Sequence, residues 1–211
     1  MTHRVLQLTF GILLLVDLHV NAYGQTTSDP LKPYTACKVG DELKIKEITR
    51  RNSRESFREV TMGDDKQKVS VVDGYRVMFA YPDLPYYFAN VKIEQSSAES
   101  YEKDKEVLVN QLKYFTTIKE TTRIIFSDKV VLNGFDHYGI DRDKIDVGGS
   151  VGTHILFNDQ KHLVITIYFL NQSKAVFANN RRFESINEYH ELKDQFLSSY
   201  SQCLKSLIDT P

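Results

Sequence analysis

The chain has 211 residues, of which 41% are hydrophobic and 11% aromatic, with 10 glycines and 5 prolines; this is a globular composition, not a disordered or repetitive one. Its 27 basic and 28 acidic residues leave a net charge of −1, so there is no electrostatic case for nucleic acid or an anionic membrane surface as partner. The length suits one domain with a sizeable core.

Met1 to Gly24 reads as a cleaved signal peptide. A basic start at Arg4 precedes an apolar run from Val5 to Val16, and small residues follow as Val20-Asn21-Ala22-Tyr23-Gly24. The run is shorter than the ~20 residues that cross a bilayer, so the mature chain is expected to lack a transmembrane segment and to be secreted or periplasmic. The leader holds one charge of each sign, Arg4 and Asp17, so its removal leaves the balance unchanged. Residues 25–36, polar and carrying Pro30 and Pro33, are expected to form a linker, and 37–211 a single globular domain. Two cysteines in an exported chain, Cys37 and Cys203, predict a disulfide that pins the start of the domain to its last helix.

Leu43, Ile45 and Ile48 suggest a short strand, and the arginines at 50, 51, 54 and 58, interleaved with Glu55 and Glu59, a solvated face or loop. Val69–Val72, Asp73-Gly74 and Tyr75–Phe79 have the form of a tight hairpin, because Asp-Gly tolerates the positive φ angles of a type I′ turn. Pro82 and Pro85 end it, and Tyr86–Glu94 alternates as a further strand. Ser96 with Glu99 matches a capping box ahead of a helix over 97–116, whose apolar face is Tyr101, Leu108, Leu112 and Phe115. Strands follow over 123–126, 129–132, 135–140 and 151–157, with Asn133-Gly134 as a second hairpin signal. In Leu163–Leu170 both alternate sets of side chains are apolar, which requires cover on both faces and places the strand mid-sheet. Ser185 with Glu188 is another capping box, opening a helix over 186–208 with a stripe of Tyr189, Leu192, Phe196, Tyr200, Cys203 and Leu207. The sum is an α+β fold: an antiparallel β-sheet flanked by helices, an α/β/α sandwich.

Few residues point to chemistry. Gly148-Gly149-Ser150-Val151-Gly152 has the letters of a nucleophile elbow, but a strand follows where the elbow needs a helix. His190 and Asp194 have half of a zinc-protease spacing without a third ligand, and read as exposed helix surface. Asp141, Asp143 and Asp146 lack the spacing of a calcium loop and read as a polar turn. No catalytic residue, metal site or cofactor is assigned. The binding candidates are a polar group of Asp136, His137, Asp141 and His154, together with Tyr86 and Tyr87, aromatics at a loop edge that can anchor a partner. Asn171-Gln172-Ser173 is a formal N-glycosylation site.

From Val69 to Leu207, the Phe79-Ala80-Tyr81-Pro82 strand end, the helix after Ser96, the antiparallel strands and the final amphipathic helix resemble the PsbP/DcrB-like group of exported proteins. The resemblance implies an α/β/α sandwich and a non-catalytic accessory or binding module. It carries over no site residues, and residues 25–66 and the disulfide lie outside it. The expected function is therefore an exported, non-catalytic domain that binds a protein or small molecule. The alternative is an envelope hydrolase using Ser150 or a histidine metal site at His137, His154 or His190.

Overall fold

The computed structural model describes residues 29–52, 54–82, 87–118, 122–144, 149–171 and 185–209. The expected signal peptide, Tyr86, residues 145–148 and residues 172–173 of the glycosylation site lie outside the described residues. A 3-10 helix, Lys32–Ala36, precedes β1 (Lys44–Arg50), β2 (Phe57–Met62), β3 (Asp65–Ser70), β4 (Asp73–Ala80) and β5 (Ala89–Gln95). Helix α1 (Tyr101–Thr117), β6 (Arg123–Leu132), β7 (Phe135–Lys144), β8 (Gly149–Asn158), β9 (Leu163–Asn171) and α2 (Ile186–Ile208) complete the chain.

Seven strands form one antiparallel sheet in the order β1-β4-β5-β9-β8-β7-β6, and β2–β3 form a separate two-stranded ribbon. β9 is the middle strand, the place its two apolar faces require. Leu163, Ile165, Ile167 and Phe169 pack with Tyr189, Phe196, Tyr200 and Leu204 of α2. Val164 faces the other way and joins Tyr101, Leu108 and Leu112 of α1 and Val60 and Val69 of the ribbon. Two helices on opposite faces make three layers. α1 carries the chain from the middle of the sheet to its far edge at β6, and the meander β6–β9 returns to pair with β5.

Asn133-Gly134 makes the expected tight turn, with φ of 50° and 86°, and sets Leu132 opposite Phe135. Asp73-Gly74 does not. β3 pairs with β2 and β4 with β1 and β5, so the two runs beside Asp73 belong to different sheets. The tight turn in this region is Gly63-Asp64, with Gly63 at φ 63°, inside a stretch whose charge hides its strands. α1 begins at Tyr101, later than Ser96 predicts, and no side chain caps it. Instead Asp104 Oδ2 accepts hydrogen bonds from the hydroxyls of Ser70 (2.6 Å), Ser96 (2.9 Å) and Ser100 (2.7 Å), tying α1 to the ribbon. The second capping box forms: Ser185 Oγ accepts from Glu188 N at 3.1 Å.

Leu31 and Tyr34, in the stretch expected to be linker, are buried in the α2-side core. The disulfide Cys37–Cys203 closes a separation of 166 residues and holds this N-terminal segment on α2. Phe196 stacks on Tyr200 at 5.6 Å and meets Phe79 edge-on at 5.1 Å. Such aromatic pairs add about 0.5–1.5 kcal/mol to what their burial contributes.

Candidate functional site

Strand periodicity builds the main polar cluster. Along β7, residues 137, 139, 141 and 143 face α2, and along β8 residues 150, 152, 154 and 156 do the same. The structure therefore brings together His137, Asp141 and His154 of the sequence candidates, adds Ser150, and sets them beneath Lys193 and His190 of α2. Asp141 and Asp143 are not in a polar turn. β7 runs on to Lys144, and Asp143 is fully buried while Asp141 is 3% exposed. His190 is likewise not exposed helix surface: its Nε2 lies 3.0 Å from Asp143 Oδ1. Asp194 does lie outward, 70% exposed, beside Lys193 at 3.2 Å.

Two glycines make the space. A Cβ on Gly139 would fall 2.3 Å from His154 Nδ1, and one on Gly152 would fall 2.3 Å from Asp141 Oδ1. Each glycine is the cross-strand partner of the polar residue it accommodates. His154 and Asp141 thus lie against bare backbone.

The cluster has two arms. In the first, Lys193 Nζ donates to Asp141 Oδ2 at 2.6 Å, Asp141 Oδ1 is 3.2 Å from His154 Nε2, and His154 Nδ1 is 3.0 Å from His137 Nε2. Burial holds His137 well below its free value, at about 4, helped by the neighbouring His154 and Lys193. Burial also lowers His154, against the pull of Asp141. Burial works to raise Asp141, but the hydrogen bond from His154 and the Lys193 ammonium outweigh it and bring the group down to about 2. The tautomers follow, because an ionised carboxylate only accepts. His154 Nε2 carries the proton, its Nδ1 accepts, and His137 Nε2 is the donor.

In the second arm, Asp143 accepts from Ser150 Oγ at 2.7 Å and from Arg123 Nε at 3.0 Å, with His190 on the same oxygen as Ser150. Burial pushes Asp143 up, and the bonds from Ser150, Arg123 and His190 more than reverse it, so its carboxyl is held below the usual range. Two carboxylates therefore face two cations, Lys193 and Arg123, with both buried imidazoles neutral. Burial also pushes the Tyr189 phenol, beside this cluster, well above its ordinary value.

This arrangement has limited chemistry. A catalytic serine passes its proton to a base. Ser150 is 1% exposed and donates to a carboxylate that Arg123 already holds ionised. The two imidazoles spend nitrogens on each other, with rings stacked at 15°. Among the described residues, no three His, Cys, Asp or Glu side chains are grouped to hold a metal ion.

The remaining candidates separate from the cluster. Asp136 faces the α1 side, where Lys105 and Lys129 each lie 2.7 Å away. Burial would raise its pKa, but the two ammonium groups keep it below the usual range. Tyr87 is half-buried and lines a cavity of about 420 Å³ on the α1 side with Phe115, Arg142, Lys144, Thr153 and Tyr168. Its neighbour Phe88 is core, packed 5.5 Å from Phe169.

Sequence reasoning missed Lys193 and Arg123 and misplaced Asp143 and His190. The signal was there in β7: His137, Gly139, Asp141 and Asp143 sit at period two opposite Tyr138 and Ile140. The chain matches no protein-family model, and no curated protein or solved structure is significantly similar to it.

Proposed function

We propose that the chain is an exported, non-catalytic accessory domain that binds a small molecule or protein partner on the α1 side of its sheet, around Tyr87. One observation carries the non-catalytic part. The groups from which a hydrolase or metal site would be built, Ser150, His137, His154 and His190, are turned under α2 and bonded to one another or to Asp141 and Asp143. The Tyr87 cavity supplies what that cluster lacks: concavity, aromatic surface and polar groups at its rim, at a volume typical of small-molecule sites. The PsbP/DcrB-like resemblance of Val69 to Leu207 implies an accessory role and points the same way.

Export rests on the leader-like Met1 to Gly24 and on the fact that both cysteines are bridged, which suits an oxidising compartment. No helix among the described residues is long and apolar enough to cross a membrane.

Two measurements test this proposal. The mass of the mature protein from the envelope or medium is expected to correspond to a start at Tyr23 or Gln25; full-length protein retained in the cytoplasm contradicts export. A fluorophosphonate probe is expected to leave the folded protein unlabelled, whereas labelling abolished by Ser150→Ala establishes the hydrolase instead.

A further inference from the structure

Arg76 on β4 and Lys92 on β5 are direct cross-strand partners on the α1 side of the sheet. Like charges directly opposite one another destabilise a strand pair, and two long side chains would ordinarily be free to splay apart. Here neighbours hold both. Arg76 Nε donates to Oδ1 of the buried Asn90 at 2.9 Å, and Lys92 Nζ lies 5.2 Å from the centre of the Tyr168 ring. Among the described residues no carboxylate pairs with either cation.

Both cations line a cavity of about 380 Å³ between β1, β4, β5 and the start of β2. The two carboxylates on its wall are each bound by another residue of the lining. Glu94 accepts from Arg58 Nε at 2.8 Å, and Glu47 accepts from the Thr49 hydroxyl at 2.7 Å. Arg58 Nη2 is buried with no hydrogen-bond partner among the described residues. The cavity thus concentrates positive charge in a chain whose overall balance is −1. Fixing Arg76 through Nε leaves its two Nη groups for a ligand, and a guanidinium presented edge-on matches the oxygens of a carboxylate or phosphate. Holding the two cations in place beforehand also lowers the entropy cost of binding.

We propose that this cavity is an oxyanion site for a small molecule bearing a phosphate or carboxylate group, gripped between Arg76 and Lys92. An oxyanion between the two cations offsets the repulsion of this cross-strand pair. The site shares no lining residue with the Tyr87 cavity, although Tyr168 of that cavity lies against Lys92, and it does not depend on that cavity binding anything.

The test titrates the full mature chain with inorganic phosphate and with citrate, against chloride at matched ionic strength, by calorimetry and thermal shift. At least one of the two is expected to bind saturably and raise the melting temperature. Phosphate alone identifies a phosphoryl ligand and citrate alone a polycarboxylate. Arg76→Gln/Lys92→Gln is expected to weaken binding at least tenfold while melting no lower than wild type without ligand, and Tyr87→Ala to bind as wild type. If the double variant does not fold, amide shift mapping on the unaltered protein decides: ligand-induced shifts at 76 and 92 support the site. Absence of saturable binding by either anion, binding unchanged in a folded double variant, or shifts confined elsewhere overturns it.

Discussion

His137 Nε2 lies 3.0 Å from His154 Nδ1, and the two rings stack 5.2 Å apart. The contact needs one donor and one acceptor, so it is made by neutral rings and lost when both carry a proton. That single relationship links the fold to pH.

Stability is expected to fall on mild acidification. His137 has a folded-state pKa of about 4, against about 6.5 unfolded. As pH drops below the unfolded value, the unfolded chain takes up the proton first. The contribution is therefore fully present above 6.5 and is lost as pH falls toward 4. His154, lowered in the same direction, adds to it. Urea unfolding at pH 5 is expected to give a stability roughly 2 kcal/mol below that at pH 7.5 from His137 alone. His137→Gln, which keeps a side-chain donor, is expected to flatten that slope. A wild-type stability constant across this window contradicts the assignment.

Lys193 is the charge partner that lets Asp141 stay ionised under α2. Lys193→Met strands a buried carboxylate and is expected to cost about 3–5 kcal/mol. Adding Asp141→Asn removes the stranded charge and is expected to recover a large part of the loss. The check is a double-mutant cycle in denaturant; a single-variant loss under about 1 kcal/mol denies the pair its structural role.

Gly139 supplies a prediction whose sign is unusual. Replacing a strand glycine by alanine ordinarily stabilises by about 0.5–1 kcal/mol. At Gly139 the new methyl meets His154 Nδ1, and the variant is expected to lose about 1–3 kcal/mol through overpacking. Thermal melts of Gly139→Ala settle it, and a rise in melting temperature shows that His154 does not lie against the glycine.

Sequence and structure part company at identifiable residues. β9 was legible because hydrophobicity on both faces has one architectural solution. Asn133-Gly134 was legible because its turn chemistry is local, and Asp73-Gly74 misled because strand pairing is not: β4 finds its partners in β1 and β5. The ribbon β2–β3 is rich in charge and buries only Val60 and Val69, against α1, so its periodicity is visible only once that helix is in place. In the cluster, His137, Asp141 and His154 announced themselves as ionisable residues close in sequence. Lys193 did not, since a lysine on a charged helix looks solvated until Asp141 is found beneath it.

Removing the bridge tests how the N-terminal segment is held. Cys37→Ser/Cys203→Ser frees a loop of 166 residues and is expected to cost about 2–5 kcal/mol. Melting with and without reductant reads the same effect in the unaltered protein. Equal melting temperatures mean that Leu31 and Tyr34 hold the segment without the disulfide.

The polar cluster beneath α2 is closed upon itself. Long-range proton–nitrogen NMR of the imidazoles from pH 4 to 8 reads it directly. The expected result is that His137 and His154 are both neutral at pH 7, protonated on Nε2, with His137 titrating near 4. Imidazoles that titrate near 6.5, or that interconvert freely between tautomers at pH 7, contradict it.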